Sequence, residues 1–164
     1  MCQLTKDTNR VKQFLAIVRP VKVKDFTAEP DSPDWTPEQQ ENLRQKLLWD
    51  EEHVPRLEKI PYKFYYNYIC SEPGCKGHKQ SIYDWELHVL YLKMRDTYKD
   101  EKTAIAKVRQ KFFDQMCDPK FDLHFFVGTH NQYPSWIILG TFWPPNPYPP
   151  EQKGQLTLWS LSES

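Results

Sequence analysis

Three candidate metal ligands lie within nine residues of this chain, in the spacing Cys70-x4-Cys75-x2-His78. Thiolate sulfur and imidazole nitrogen are the donors that Zn²⁺ prefers in proteins. Gly74 and Gly77 lie among them, and glycine permits the backbone turn that would wrap the donors around an ion. The pattern therefore predicts a zinc-binding turn. The alternative is that Cys70 is a buried thiol at a strand end, Cys75 a chance neighbour and His78 an exposed turn residue.

The segment before this turn, residues 62–70, predicts a β-strand because it is rich in aromatic residues and contains no Gly or Pro. Successive side chains of a strand point to opposite faces. One predicted face carries Phe64, Tyr66, Tyr68 and Cys70, and the other carries Lys63, Tyr65, Asn67 and Ile69.

Two helices are predicted after the turn. Ser81 is the expected N-cap of the first, with Asp84 near its third position, and this helix extends to about residue 98. Apolar residues lie nearly all round it, which predicts a central, buried helix. The second helix spans about residues 102–116. The short break between the two predicts that they are antiparallel neighbours.

A closed structural zinc site needs a fourth ligand. At a rise of about 1.5 Å per residue, the two predicted helices have similar lengths, so the end of the second should return to the turn and bring Cys117 with it. The predicted set is Cys70, Cys75, His78 and Cys117. His124 and His130 are rival fourth ligands, because both lie on or just after a predicted strand that could pair near the cluster.

The remaining segments complete an α+β fold. Strands are predicted near residue 14, broken by Pro20, and at residues 121–129 and 136–143, the last two joined by a loop at residues 130–135. A further helix is predicted at residues 37–49. We therefore expect an antiparallel sheet of about four strands, covered by a helical hairpin and stapled by the zinc-binding turn. Residues 1–143 form the predicted domain, and residues 144–164 a proline-rich extension with a C-terminal tail or edge strand.

Composition limits the location and the partners. The 164 residues suffice for one domain core, and 22 basic residues balance 22 acidic ones, so no overall field favours nucleic acid or an anionic membrane. No apolar run could span a membrane, and the N-terminus lacks the apolar segment of a signal peptide. We expect an intracellular, cytoplasmic protein without a membrane partner, whose cysteines are ligands or buried thiols.

Few features of the sequence indicate catalysis. A zinc ion with four protein ligands has no open position for water, which is typical of a structural site. The H-x-E…P-C-x-x-C, H-E-x-x-H, Walker and G-x-S-x-G motifs are absent. If the chain is an enzyme, Asp84, Glu86 and His130 are the candidate catalytic residues. The alternative for Asp84 is a capping role at the helix N-terminus.

A binding role is the preferred hypothesis. The residues Lys63, Tyr65 and Asn67 on one predicted strand face, with His130 and Asn131 on a loop, offer stacking, charge and hydrogen bonding to nucleic acid. The sequence thus favours a non-catalytic, zinc-stabilised recognition module that binds nucleic acid through an aromatic and basic sheet face. The alternatives are a small metal-dependent hydrolase or nuclease that acts on nucleic acid or nucleotides, and a protein–protein adaptor.

Overall fold

The computed structural model describes residues 15–37, 58–130 and 133–147. The predicted helix at residues 37–49 lies almost wholly outside these ranges, as do Asn131 and the chain after residue 147. In chain order the elements are β1 (Leu15–Val18), β2 (Lys22–Pro30), β3 (Tyr62–Ile69), β4 (His78–Ser81), α1 (Trp85–Tyr98), α2 (Glu101–Arg109) with a π-helical continuation (Gln110–Gln115), β5 (His124–His130) and β6 (Tyr133–Phe142). The fold is α+β.

The strands form two small antiparallel sheets, in the orders β1-β5-β6 and β2-β3-β4. The predicted single sheet of about four strands is therefore corrected. Proline has a fixed φ and no N–H to donate, and Pro20 lies in the break between β1 and β2. Before the break Val18 pairs with Phe125, and after it Lys22 pairs with Ile69. One extended segment thus contributes a strand to each sheet.

The two sheets meet again after β4. Ile82 forms a parallel bridge with Ile138 of β6, and the N–H of Tyr83 donates to the carbonyl of Ile138 at 2.7 Å. The chain at the β1–β2 break and the hydrogen bonding next to Ile82 thus connect the two sheets, which enclose one core.

Aromatic side chains fill this core. The predicted division of β3 into two faces is confirmed, because Phe64, Tyr66 and Tyr68 on one face are almost completely buried. Tyr66 stacks on Phe125 of the other sheet with ring centroids 4.8 Å apart. Its hydroxyl donates to the carbonyl of Phe112 in the π-helical segment. One tyrosine therefore links both sheets and the second helix.

The helices differ from prediction in two respects. The N-cap of α1 is Asp84, whereas Ser81 belongs to β4. The helix is not central, because only Leu87 and Tyr91 are fully buried while Trp85 is 66% exposed. α1 and α2 pack against each other, but they do not cover one sheet as a layer. Among the described residues, no helix has the length and apolar character needed to span a membrane.

The hairpin of β5 and β6 is tighter than predicted. His130 pairs with Tyr133, so at most two residues form its loop in place of the predicted six. After β6 the chain still packs on the fold, since the N–H of Asp122 donates to the carbonyl of Pro144 at 2.9 Å and that of Asn146 to Lys120 at 2.6 Å. The domain boundary at residue 143 stays a prediction.

Candidate metal centre

The candidate ligands lie in the connection between two paired strands. Cys70 directly follows β3, on the buried side of that strand. His78 is the first residue of β4 and lies opposite Tyr68 in the antiparallel register. The connection between β3 and β4 must therefore fold back on itself, which brings Cys70, Cys75 and His78 together.

Two glycines allow this tight path. Gly74 and Gly77 have φ angles of 76° and 106°, in the region that favours glycine because it lacks a Cβ. A Cβ on Gly77 would lie 3.6 Å from the carbonyl oxygen of Tyr68, so the positive φ is the main obstacle to substitution. The N–H of Cys75 donates to the carbonyl of Glu72 at 3.1 Å and closes the turn.

The three side chains have the separations of metal ligands. His78 Nε2 lies 3.4 Å from Sγ of both Cys70 and Cys75, and the three donor atoms all lie within 4.8 Å of one another. Tetrahedral zinc, with Zn–S of about 2.3 Å and Zn–N of about 2.05 Å, requires a sulfur–nitrogen separation of about 3.6 Å. Cys70, Cys75 and His78 therefore form a group that could hold a metal ion.

The surroundings favour the forms of the ligands that bind metals. Burial lowers the pKa of His78, and the neutral imidazole is the metal-binding form. Hydrogen bonding from the backbone of Cys70 lowers the pKa of the Cys75 thiol, with smaller contributions from Gly77 and from the charge of Lys24. The ring of Tyr68 stacks on that of His78 at a centroid distance of 4.9 Å, which restricts the orientation of the imidazole.

A family comparison covers this turn and all the described elements. The model of a family described as a domain of unknown function, DUF8757, matches residues 1–159. The chain belongs to this family. No curated protein and no solved structure matches it. Since the DUF8757 description assigns no activity, the argument for function depends on the site itself.

The predicted fourth ligand lies outside the group of three. Among the described residues, Cys117 is not within the 4.8 Å set, and its thiol points to the carbonyl of Phe112 at 3.6 Å. Burial raises the pKa of Cys117 to about 12, which disfavours the thiolate. Ligation by Cys117 thus stays a prediction that the geometry does not support.

The rival histidines do not join the group either. His124 Nδ1 lies 2.9 Å from the carbonyl oxygen of Asp122, and the described metal-ligand group does not include it. His130 belongs to β5, not to a loop, and its side chain is not among those described.

The candidate catalytic carboxylates are engaged in other contacts. Asp84 Oδ1 accepts from the N–H groups of Glu86 and Leu87 at 2.7 and 3.4 Å. Its Oδ2 accepts from the N–H and hydroxyl of Thr141 at 3.0 and 3.3 Å. Glu86 is exposed and lies 3.6 Å from Lys111. Asp84 therefore caps α1 and ties it to β6.

Of the residues predicted to bind nucleic acid, Lys63, Tyr65 and Asn67 share one face of β3, as predicted, and the structure shows that this is the outer face. Lys63 is exposed, and Tyr65 and Asn67 are half-buried. Lys79 of β4 lies opposite Asn67, and its Nζ is 4.6 Å from the ring centroid of Tyr65. Lys63 pairs with Asp31 at 3.2 Å and Lys79 pairs with Glu29, so these two positive charges are partly neutralised.

Unpaired lysines lie around the metal turn instead. Lys76 is within the turn, Lys22 lies opposite Ile69, and Lys24 Nζ is 3.8 Å from where a Cβ on Gly77 would lie. In the part of the chain that the structure describes, none of these three lysines has a carboxylate partner at ion-pair distance. We call Lys22, Lys24 and Lys76 the lysine rim.

Sequence reasoning missed the lysine rim and Lys79. The segment that forms β4 is only four residues long and polar, so no hydrophobic alternation marks it as a strand. Only its pairing with β3 places Lys79 over Tyr65. Likewise, Lys24 is distant from Gly77 in sequence, and the pairing of β2 with β3 brings its Nζ to this glycine of the turn.

Proposed function

We propose that the protein is a non-catalytic, zinc-stabilised recognition module that binds single-stranded nucleic acid beside its metal turn. The observation that carries the proposal is the group of Cys70, Cys75 and His78, with ligand atoms at metal-binding separations and exposed lysines around it. The thiol ligands require a reducing, intracellular location, which is part of the proposal.

Zinc is the proposed ion because the donor set is two sulfurs and one imidazole nitrogen, which suits zinc better than the oxygen-seeking Mg²⁺ and Ca²⁺. Its role in the fold follows from where the ligands lie. Cys70 ends β3 and His78 begins β4, so an ion would join the ends of two neighbouring strands. Next to the proposed ion, the buried side chain of Tyr68 connects β3 and β4 to the core.

Nucleic acid is the proposed partner because the lysine rim lies next to an aromatic strip. Lysine ammonium groups bind phosphates with little sequence preference, and aromatic rings stack on unpaired bases. Tyr65 provides the proposed stacking surface, with Lys79 displaced from over its ring by the base and free to contact a phosphate, and Lys63 and Asn67 extend the surface along β3. His130 and Asn131 remain proposed contacts.

A hydrolase or nuclease is the second candidate. It is favoured by one observation: only three donors gather in the described metal group, and a catalytic zinc keeps a fourth position for water. The contacts of Asp84 oppose it, because both carboxylate oxygens already accept hydrogen bonds from α1 and β6.

Elemental analysis of the purified protein tests whether the chain binds zinc. We expect one zinc per chain in the purified wild type and less than one tenth of that in Cys75→Ser. Cys117→Ser is the matched control, because it removes a thiol outside the group of three, and we expect it to retain zinc. A wild type that binds no metal would refute the zinc site. Loss of zinc from Cys117→Ser would restore Cys117 as the fourth ligand.

Fluorescence anisotropy with labelled single-stranded DNA and RNA tests whether the protein binds nucleic acid. Each phosphate contact on a single strand contributes about 0.7 to the slope of log affinity against log salt. The double variant Lys24→Gln, Lys76→Gln should therefore lower that slope by about 1.4. Lys93→Gln, Lys102→Gln is the matched control, because both lysines are exposed on the helices.

Two outcomes would contradict this proposal. If neither DNA nor RNA binds at low salt, the protein-adaptor alternative replaces it. If a strand is cleaved in a metal-dependent manner, the hydrolase alternative replaces it.

A further inference from the structure

A cleft of about 670 Å³ is lined by none of the three metal ligands, although it includes Ser71 next to Cys70. It is bounded by the β1–β2 break, by Ser71 and by the end of the π-helical segment. Its lining consists of Arg19, Pro20, Val21, Lys22, Val23, Ser71, Met116, Cys117, Pro119, Phe121, Asp122, Leu123 and Asn146. Its size is within the range of small-molecule sites, about 300–1,000 Å³.

The lining of the cleft combines apolar side chains with charged ones. Its apolar lining includes Met116 and Leu123, which are buried, and Pro20, Val21 and Phe121. Val21 is 68% exposed, so an apolar side chain of the lining faces water. A ligand with an apolar body would remove this surface from water, which favours binding.

The charges favour an anion. The cleft is lined by two cationic side chains, Arg19 and Lys22, and by one carboxylate, that of Asp122. Arg19 Nε lies 2.7 Å from Asp122 Oδ1, which fixes the position of the guanidinium. Among the described residues this bond uses only Nε, so both terminal amino groups of Arg19 have no protein acceptor there. The side chain is 65% exposed, and a guanidinium can bind a carboxylate or phosphate with two parallel hydrogen bonds.

We propose that this cleft binds a small organic anion with an apolar, ring-sized body and a carboxylate or phosphate head, and that Arg19 contacts the head. The ligand is a free metabolite or one nucleotide of a bound strand, which share this chemistry. The lysine rim and the cleft have Lys22 in common, so the tests below leave Lys22 unchanged.

The first experiment uses ligand-observed NMR and calorimetry on the full zinc-loaded chain. The probes are AMP, UMP, benzoate and indole-3-carboxylate, each paired with its neutral counterpart: adenosine, uridine, benzamide and indole-3-carboxamide. Inorganic phosphate is the probe without an apolar body. We expect at least one of the four anions to bind at least tenfold more tightly than both its neutral counterpart and phosphate.

Two variants then locate the site with the anion that binds best. Arg19→Gln removes the proposed contact, and Val21→Asp places a negative charge on the wall; each should weaken binding at least tenfold. Both residues are largely exposed, so the fold should survive, which circular dichroism checks. Lys93→Gln and Val89→Asp are the matched controls on α1, and we expect them to bind as the wild type does.

The outcomes separate the two sources of ligand. Binding of a free anion that depends on Arg19 supports a metabolite site. If only an eight-nucleotide adenine RNA binds, and Arg19→Gln weakens it tenfold, the source is a strand. The proposal is overturned if no anion or RNA binds, if phosphate binds as tightly as the organic anions, or if neither variant weakens binding. None of these results depends on Lys24 or Lys76, so failure here is distinguishable from failure of the proposed function.

Discussion

Replacement of Asp84 by alanine should destabilise the protein more than loss of an ordinary helix cap does. Asp84 is buried, and its two oxygens serve different elements. Oδ1 caps α1 through the N–H groups of Glu86 and Leu87, and Oδ2 accepts the N–H of Thr141 on β6 at 3.0 Å. Alanine removes both sets of bonds.

The expected loss of stability is the sum of losing the helix cap and losing the bond to Thr141. Loss of an N-cap side chain costs about 0.5–2 kcal/mol. A buried N–H left without an acceptor costs about 1–3 kcal/mol, and Thr141 would be left so, in a partly buried position. Asp84→Ala should therefore lower the free energy of unfolding by roughly 1.5–5 kcal/mol. For a chain of this length that corresponds to a fall in Tm of roughly 3–20 °C.

The chain provides its own control for this experiment. Asp100 caps α2 through Thr103 N–H at 2.8 Å, but it is exposed and has no bond to a strand in the described structure. Asp100→Ala should lower the free energy of unfolding by only about 1 kcal/mol. Asp84→Ser retains a capping oxygen and loses the bond to Thr141, so its value should lie between the two. Urea unfolding followed by circular dichroism measures all three variants, and equal values for Asp84→Ala and Asp100→Ala would refute the reasoning.

Three further predictions concern tyrosines and the metal. Tyr66→Phe should lower the free energy of unfolding by about 1–2 kcal/mol, because it removes the hydrogen bond to Phe112. Tyr91→Phe should leave the free energy of unfolding unchanged or raise it, because the buried Tyr91 hydroxyl has no described partner. Urea unfolding measures both variants. Burial raises the pKa of Tyr91 to about 12 and also raises that of Tyr66. The folded state therefore holds these two protons more tightly than the unfolded state does. The free energy of unfolding should be unaffected below about pH 10 and fall between about pH 10 and 12. A rise in stability over that interval, measured beside absorbance at 295 nm, would contradict this sign. A zinc chelator should lower the Tm of the wild type and leave Cys75→Ser unchanged, and an equal shift in both would count against a structural ion.

The sequence predicted the three clustered ligands because they are local. Nine residues with two glycines contain Cys70, Cys75 and His78, and only the strand register had to be added to bring them together. Cys117 was different, because its position depends on the whole preceding helix. The expectation used the geometry of an α-helix, but residues 110–115 are π-helical, with the N–H of Met116 bonded to the carbonyl of Lys111. A π-helix has more residues per turn, so it changes both the length and the direction of the end that carries Cys117.

The cap of α1 shows the same limit. Ser81 and Asp84 are both good capping residues, and local sequence did not decide between them. Pairing decided it, because Ser81 lies opposite Tyr65 and so extends β4. Asp84 was then left as the first residue with its side chain at the start of α1, where Thr141 gives its second oxygen a partner.

The sequence by itself determined which residues of a strongly periodic strand share a face and which donors a local turn brings together. The alternation along β3 separates Phe64, Tyr66 and Tyr68 from Lys63, Tyr65 and Asn67, with the first set buried in the structure, and the glycine-bearing turn brings three metal donors together. Only the tertiary structure decided which strands pair, where the lysine rim forms and which residues enclose the cleft. The physical reason is range: alternation and turn geometry act between neighbours in the chain, whereas the pairing of distant segments depends on burying one shared aromatic core.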